Sequence, residues 1–217
     1  MKDLLVVMPN STGEQLGTMA RYREQLSAAG IDHHVQPIPD PDGTIGFRLN
    51  YTRVVRNFSH YRHIVFTDAF DVQFFGTKEQ VIQNIPSIGV ILAAEKNCHP
   101  PECLSLNIPD KGPWKFANGG AMAGTPENIL AWCDAVERHP LYRADKIDQG
   151  LLNELLAEGS DLAPIDWRTE LFFCLYGGYE ELEFEDKLPV NRTFNTTPNF
   201  IHANGGWSTS LLEARMK

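Results

Sequence analysis

The sequence predicts an α/β protein: a single domain over residues 1–217, built on a mostly parallel, twisted sheet with helices on both faces. Three observations predict it. Short apolar runs bounded by turn residues alternate with stretches whose apolar residues recur at helical spacing, the pattern of βα units. Hydrophobic residues make up 42% and charged residues 22% of the chain, values of an ordinary globular protein. No repeat, low-complexity tract or linker interrupts the 217 residues, a length one α/β domain often reaches.

Each element follows in order. Leu4 to Met8 reads as a buried strand, and Leu16, Met19, Ala20, Arg23 and Leu26 as a helix that Gly30 stops. Val35 to Ile38 reads as a second strand, followed by a Pro39 to Gly43 loop. Phe47, Tyr51, Val54, Val55 and Phe58 share one helical face, and His63 to Thr67 is a buried strand that runs straight into two aspartates. Thr77 to Gln80 has the pattern of a capping box, and Gly89 to Ala94 is another buried strand. Thr125-Pro126 sets a cap before a proline at the first helical position, and Asp148 to Ala157 carries Leu151, Leu152, Leu155 and Leu156 on one helical face. Beyond Gly159 short strands and turns take over. In such a fold, ligands gather beyond the carboxyl ends of the strands.

With 19 basic against 28 acidic side chains the formal net charge is −9, which repels polyphosphate backbones, so no nucleic-acid partner is expected. An anionic small substrate then needs a local cation, from a metal or from placed Arg and Lys. Cys98, Cys103, Cys133 and Cys174 lack paired spacing, so free thiols are expected rather than a zinc ribbon or a disulfide framework. Neither a signal-like h-region nor a run of membrane-spanning length is present, and a cytoplasmic location is expected.

Four segments offer chemistry. In Ile64 to Asp71, two carboxylates, Asp68 and Asp71, stand three residues apart just past a hydrophobic strand. Hard divalent cations favour such oxygen ligands together with substrate phosphates, although a turn former or helix cap fits an isolated Asp equally. His202 ends a second apolar stretch and is followed by Ala203-Asn204-Gly205-Gly206-Trp207; it either joins the metal shell or is a satisfied strand-end histidine. Phe116 to Gly124 contains Asn118-Gly119-Gly120, glycines that let backbone amides approach a ligand or simply form a tight turn. Lys146-Ile147-Asp148-Gln149-Gly150 opens the leucine-lined helix, where Asp148 is also a natural cap.

Together and in this order, the four segments resemble the glycosyltransferase domain of the procollagen lysyl hydroxylase family, a GT-A fold that uses nucleotide sugars and Mn²⁺. Phe66-Thr67-Asp68-Ala69-Phe70-Asp71-Val72 is similar to the family's metal motif, Phe-x-Asp-x-x-Asp-Val, and His202-Ala203-Asn204-Gly205 to its His-Gly-Asn-Gly. The resemblance thus implies Asp68, Asp71 and His202 as metal ligands, with Asn204 and Gly205 beside the substrate. Gly43 to Arg48 resembles a glycine-rich stretch that would turn Arg48 to the donor diphosphate. Ala94 to Pro100 resembles a segment of Ala, acid and Cys-x-Pro, and Asn118-Gly119-Gly120 falls at the family's Asn-Ser-Gly-Gly turn; both lie around the sugar. Two departures stand out: Ile147-Asp148-Gln149 replaces the family's Asp-Asp-Gln, and Asn118 aligns with its serine.

The resemblance implies a hexose transfer from a UDP-sugar, UDP-glucose or UDP-galactose, to an unidentified hydroxyl acceptor, with Mn²⁺ (or Mg²⁺) as cofactor and the uridine near Val7 to Thr12. Asp148 is the candidate acid or base, and Gln149 contacts the donor sugar or the acceptor hydroxyl. The alternative is a non-catalytic nucleotide-sugar or glycan-binding domain, which the missing acid at Ile147 favours. A nucleotidyltransferase is disfavoured because Asn10 to Glu14 is not basic, and a phosphatase because the aspartate spacing differs by one residue.

Overall fold

The computed structural model describes residues 1–10, 16–38, 43–205 and Leu212, so the loop expected at Pro39 to Asp42, the uridine contacts at Ser11 and Thr12, and Trp207 lie outside the described residues. The central sheet has five strands: β1 (Lys2–Asn10), β2 (Asp32–Pro37), β3 (Tyr61–Thr67), β5 (Val90–Glu95) and β6 (Phe116–Gly124), in the order β2-β1-β3-β6-β5. Both β2 and β3 run parallel to β1, while β6 is antiparallel to β3 and to β5. The sheet is therefore mixed, with β6 as its one reversed strand.

Alternation along β1 explains why both faces are covered. Leu4, Val6 and Met8 enter one apolar cluster with Met19, Tyr22 and Leu26 of α1 (Leu16–Ala28) and Val81 of α3 (Lys78–Asn84). Leu5 and Val7 enter the other, with residues of α2 (Ile45–Thr52), α4 (Pro126–Arg138) and α5 (Asp148–Ala157). Caps set the helix starts: Thr44, Thr77 and Thr125 each accept a backbone N–H three residues on, and Thr77 with Gln80 completes the capping box.

A second sheet, β4 (Val72–Phe74), β10 (Phe200–His202) and β7 (Phe172–Cys174) in that order, stands beside the first. β10 is antiparallel to β4 and parallel to β7. Its core includes Phe75, Trp114, Phe173 and Ile201. A hairpin, β8 (Leu182–Glu185) with β9 (Leu188–Asn191), completes the sheets.

Three local expectations change. The helix expected through Phe58 stops at Thr52 and continues as a 3₁₀ turn over Arg53–Phe58, where Thr52, Val54 and Val55 bring β-branched crowding. The second strand starts earlier, at Asp32. Gly119 and Gly120, offered as a tight turn, lie inside a strand, Phe116–Gly124, whose residues on either side of them pair with β5 and, from Ala121 on, with β3. Its register against β5 jumps from Leu92↔Met122 to Ala93↔Asn118, a bulge that takes Gly119 and Gly120 out of the ladder.

Candidate functional site

Asp68 and Asp71 sit in the link between β3 and β4, and His202 ends β10, which pairs with Val72 of β4 and Cys174 of β7. The small sheet thus joins residues 131 positions apart: His202 Nε2 stands 3.2 Å from Asp71 Oδ2 and 3.2 Å from Asp68 Oδ2. One donor atom from each of the three lies within 4.8 Å of the others. His202 is buried, while the Asp68 side chain is 47% exposed, so the cluster is anchored inside and open on one side. Backbone contacts fix it: Asp68 N donates to Gly120 O at 2.8 Å and Ala203 N to Asp71 O at 2.7 Å.

Burial disfavours a charged imidazole, but Asp71 and Asp68 more than offset this and hold His202 well above its usual range. Burial likewise raises Asp71, and the positive His202 outweighs it, leaving the carboxyl below its ordinary value. Two carboxylates and an imidazole around an open point suit a divalent cation of the Mg²⁺ or Mn²⁺ kind. The backbone leaves room for one: a Cβ at Gly120 would stand 2.8 Å from Asp68 Oδ2 and 2.8 Å from His202 Nδ1. A glycine is required here by space, not by backbone angle.

Next to it is an amide-lined shelf centred on Glu95, the last residue of β5. Buried Glu95 accepts from Gln149 Nε2, from Asn118 Nδ2 at 3.3 Å and from Asn204 Nδ2 at 2.6 Å. Burial pushes its carboxyl up, and these three amides only partly offset that. Asn118 Oδ1 in turn accepts from Gly120 N at 2.8 Å, and Gln149 Oε1 from Gly119 N at 3.2 Å, so the shelf also holds the β6 bulge.

On the other side of the bulge, buried Arg48 of α2 donates through Nη1 to Gly119 O and to Asp148 Oδ2, the latter at 3.2 Å. Its Nε and Nη2 are buried with no protein partner. Asp148 is the first residue of α5 rather than its cap: the cap is Ile147, which makes no side-chain bond, and Asp148 Oδ1 accepts from Gln149 N at 2.6 Å. A Cβ at Gly119 would stand 2.8 Å from Asp148 Oδ2.

The structure therefore brings Arg48, Asp68, Asp71, Asn118, Gly119, Gly120, Asp148, Gln149, His202 and Asn204 together. Gly205, at φ +68°, lies just past Asn204 against Tyr176. Glu95 enters the sequence reading only as the acid of the Ala94 to Pro100 resemblance and not as a named site residue, although a carboxylate at a strand's carboxyl end is the same signal that marked Asp68. Cys174, whose Sγ lies 3.9 Å from His202 Nδ1, gave no signal at all. All four cysteines are free thiols, and Cys98 is only half-buried. No helix among the described residues is long and apolar enough to cross a membrane.

Comparison with known proteins gives the family and the fold. A family model described as PLOD GT domain matches residues 53–214. The Procollagen-lysine,2-oxoglutarate 5-dioxygenase of Drosophila melanogaster is 28% identical over 74% of this chain and 24% of its own length, so the chain spans about a quarter of that relative. Two solved structures share the fold from end to end. The galactosyltransferase LgtC, in complex with donor and acceptor sugar analogs, has a TM-score of 0.59 at 10% identity, covering 98% of this chain and 95% of that one. A glycosyltransferase involved in glycosylation of the major capsid of PBCV-1 has a TM-score of 0.56 at 12% identity, covering 98% of both. The fold is GT-A.

Proposed function

The chain belongs to the PLOD GT domain family, and from that premise we propose that it is a metal-dependent hexosyltransferase that moves a sugar from UDP-glucose or UDP-galactose to a hydroxyl acceptor, with all of residues 1–217 forming the one transferase domain. The observation that carries the reading is the convergence of Asp68, Asp71 and His202 on one open point beside the Glu95 shelf. Asp68, Asp71 and His202 would hold Mn²⁺, or Mg²⁺ in its place, which when bound neutralises charge on the donor diphosphate and on the leaving nucleotide.

Everything else falls to the chain's own side chains. As the bond between the anomeric carbon and the diphosphate oxygen breaks, negative charge grows on the departing UDP. Arg48, with two nitrogens, Nε and Nη2, left unpartnered in a buried setting, is poised to stabilise it. Asn118, Gln149 and Asn204, oriented by Glu95, position sugar hydroxyls, and the bulge at Gly119 and Gly120 lets the donor approach the backbone. Asp148, held by Arg48 and by the Gln149 amide, is the carboxylate available as acid or base toward the acceptor hydroxyl. Four unpaired thiols suit a reducing, cytoplasmic compartment.

A second reading, a nucleotide-sugar or glycan-binding domain without catalysis, is favoured by one observation: Ile147, apolar and exposed, stands where the resembling family has an acid. Thermal unfolding with UDP, UDP-glucose, UDP-galactose and the GDP counterparts, each with and without Mn²⁺, tests the donor site. The reading expects a Mn²⁺-dependent rise with UDP compounds that Asp71→Ala abolishes. No shift from any nucleotide at saturation would remove both readings. A shift without donor turnover in the presence of acceptors would leave the binding domain.

A further inference from the structure

The link that carries Asp68 and Asp71 is held at both ends by one helix, α1. At its start, Thr67 closes β3 with its side chain buried, and Thr67 Oγ1 lies 2.9 Å from the hydroxyl of Tyr22, which is fully buried as well. One hydroxyl donates to the other, and each thereby has the partner that a buried polar group requires. Three residues further along α1, and so on the same helical face, Gln25 reaches the far end. Its Oε1 accepts the N–H of Phe74, the last residue of β4, at 3.1 Å.

The second contact fills a place that the sheet leaves open. β4 is an outer strand of the small sheet, with β10 on one side. The N–H of Phe75 turns inward to Asn199 O at 2.8 Å, whereas that of Phe74 points off the edge, where a strand's donors go unpaired. Gln25 stands in for the missing neighbour. Between the two contacts, Ala69 and Phe70 enter the apolar cluster that contains Met19 and Tyr22, while Asp68 and Asp71 meet His202. Two carboxylates aimed at one point repel each other. A link free at either end would relieve that repulsion by turning one of them away, and α1 denies it that freedom.

We propose that Tyr22 and Gln25 are positioning residues of the metal site: they fix both ends of the link so that Asp68 and Asp71 already converge before a divalent cation binds, and so set its affinity without touching it. This rests on the metal-dependent reading of the site. A site held in its binding geometry does not spend binding free energy on ordering its ligands.

The test is calorimetric titration of Mn²⁺, with UDP present, into wild type, Tyr22→Phe, Gln25→Met, the double variant and Gln25→Glu. Tyr22→Phe deletes one hydroxyl, Gln25→Met keeps the length of the side chain without its acceptor, and Gln25→Glu keeps the acceptor. Mn²⁺ affinity should fall in both single losses and by about tenfold in the double variant, the lower end of the range for groups that orient metal ligands. Gln25→Glu should stay near wild type. Val136→Ala, a cavity in the other apolar cluster, controls for stability: it should lower the thermal midpoint and leave Mn²⁺ affinity unchanged. In donor turnover, the Mn²⁺ concentration giving half the maximal rate should rise in the double variant, with the rate at saturating Mn²⁺ little altered. Wild-type affinity in the double variant, a Glu variant as weak as the Met one, or an equal loss in Val136→Ala would overturn the proposal while leaving the metal site standing. A wild type that binds no Mn²⁺ in the presence of UDP would remove the metal-dependent reading and this proposal with it.

Discussion

Replacing Gly120 by alanine probes the metal cluster without touching any of its ligands. The new Cβ would stand 2.8 Å from Asp68 Oδ2 and 2.8 Å from His202 Nδ1. Ordinary contacts begin near ~3.5 Å, so Asp68 must retreat by about 0.7 Å and the His202 ring, whose Cε1 is nearer still, by more. Metal sites tolerate roughly 0.2 Å in ligand distance, so the retreat is several times what coordination allows. His202 has little freedom to move, being buried and paired through β10 with both β4 and β7. Mn²⁺ affinity is therefore expected to fall by about 10- to 100-fold, the range seen when ligands are misoriented. Isothermal titration of Mn²⁺ with UDP present measures it. Gly119→Ala is the matched control: its Cβ meets Asp148 Oδ2 at 2.8 Å, so it should disturb the Arg48–Asp148 pair and leave Mn²⁺ affinity near wild type. If Gly120→Ala binds Mn²⁺ as tightly as the wild type, the cluster is not the metal site.

Two further perturbations test the scaffold. In Glu95→Gln, one amide hydrogen must face a donor, since Asn118, Asn204 and Gln149 all donate to this carboxylate and Gln149 cannot turn over without setting its Nε2 against Gly119 N–H. A lost buried partner costs about 1–3 kcal/mol, which calorimetry should read as a fall of several degrees in Tm, and an unchanged midpoint would refute the network. Asp166 receives N–H bonds from Glu170, Leu171 and Phe172 at 2.7–2.9 Å, yet burial pushes its carboxyl up to about 6. The folded state therefore holds this proton more tightly than the unfolded chain, so the group's contribution is largest below the unfolded pKa of about 3.9 and declines as pH rises through about 6. Urea unfolding of wild type and Asp166→Asn at pH 4 and pH 7 should show a gap that narrows at the higher pH by about 2 kcal/mol; a gap independent of pH would contradict it.

Periodicity and turn chemistry made most of the secondary structure legible. The alternation in β1, the leucines of α5 and the Thr caps are local signals, and local signals survive without tertiary information. The change at Thr52 is local, set by β-branched Thr52, Val54 and Val55, whereas the one at Gly119 and Gly120 depends on partner strands. Phe116–Gly124 has a turn-like composition, and only pairing to β3 and β5 makes it a strand. The family motifs likewise located the site residues in the sequence, but not what holds them.

The sequence by itself determined the α/β class and the covered faces of the sheet, because both are written in short-range spacing of apolar and turn residues, and the resemblance of its motifs to the family's pointed to the residues now gathered at one site. Only the tertiary structure decided the reversed strand β6, the small sheet that carries His202 to Asp68 and Asp71, and the Glu95 hub. These depend on contacts between segments far apart in the chain, whose formation is settled by which surfaces can be buried together and not by any property of the segments alone.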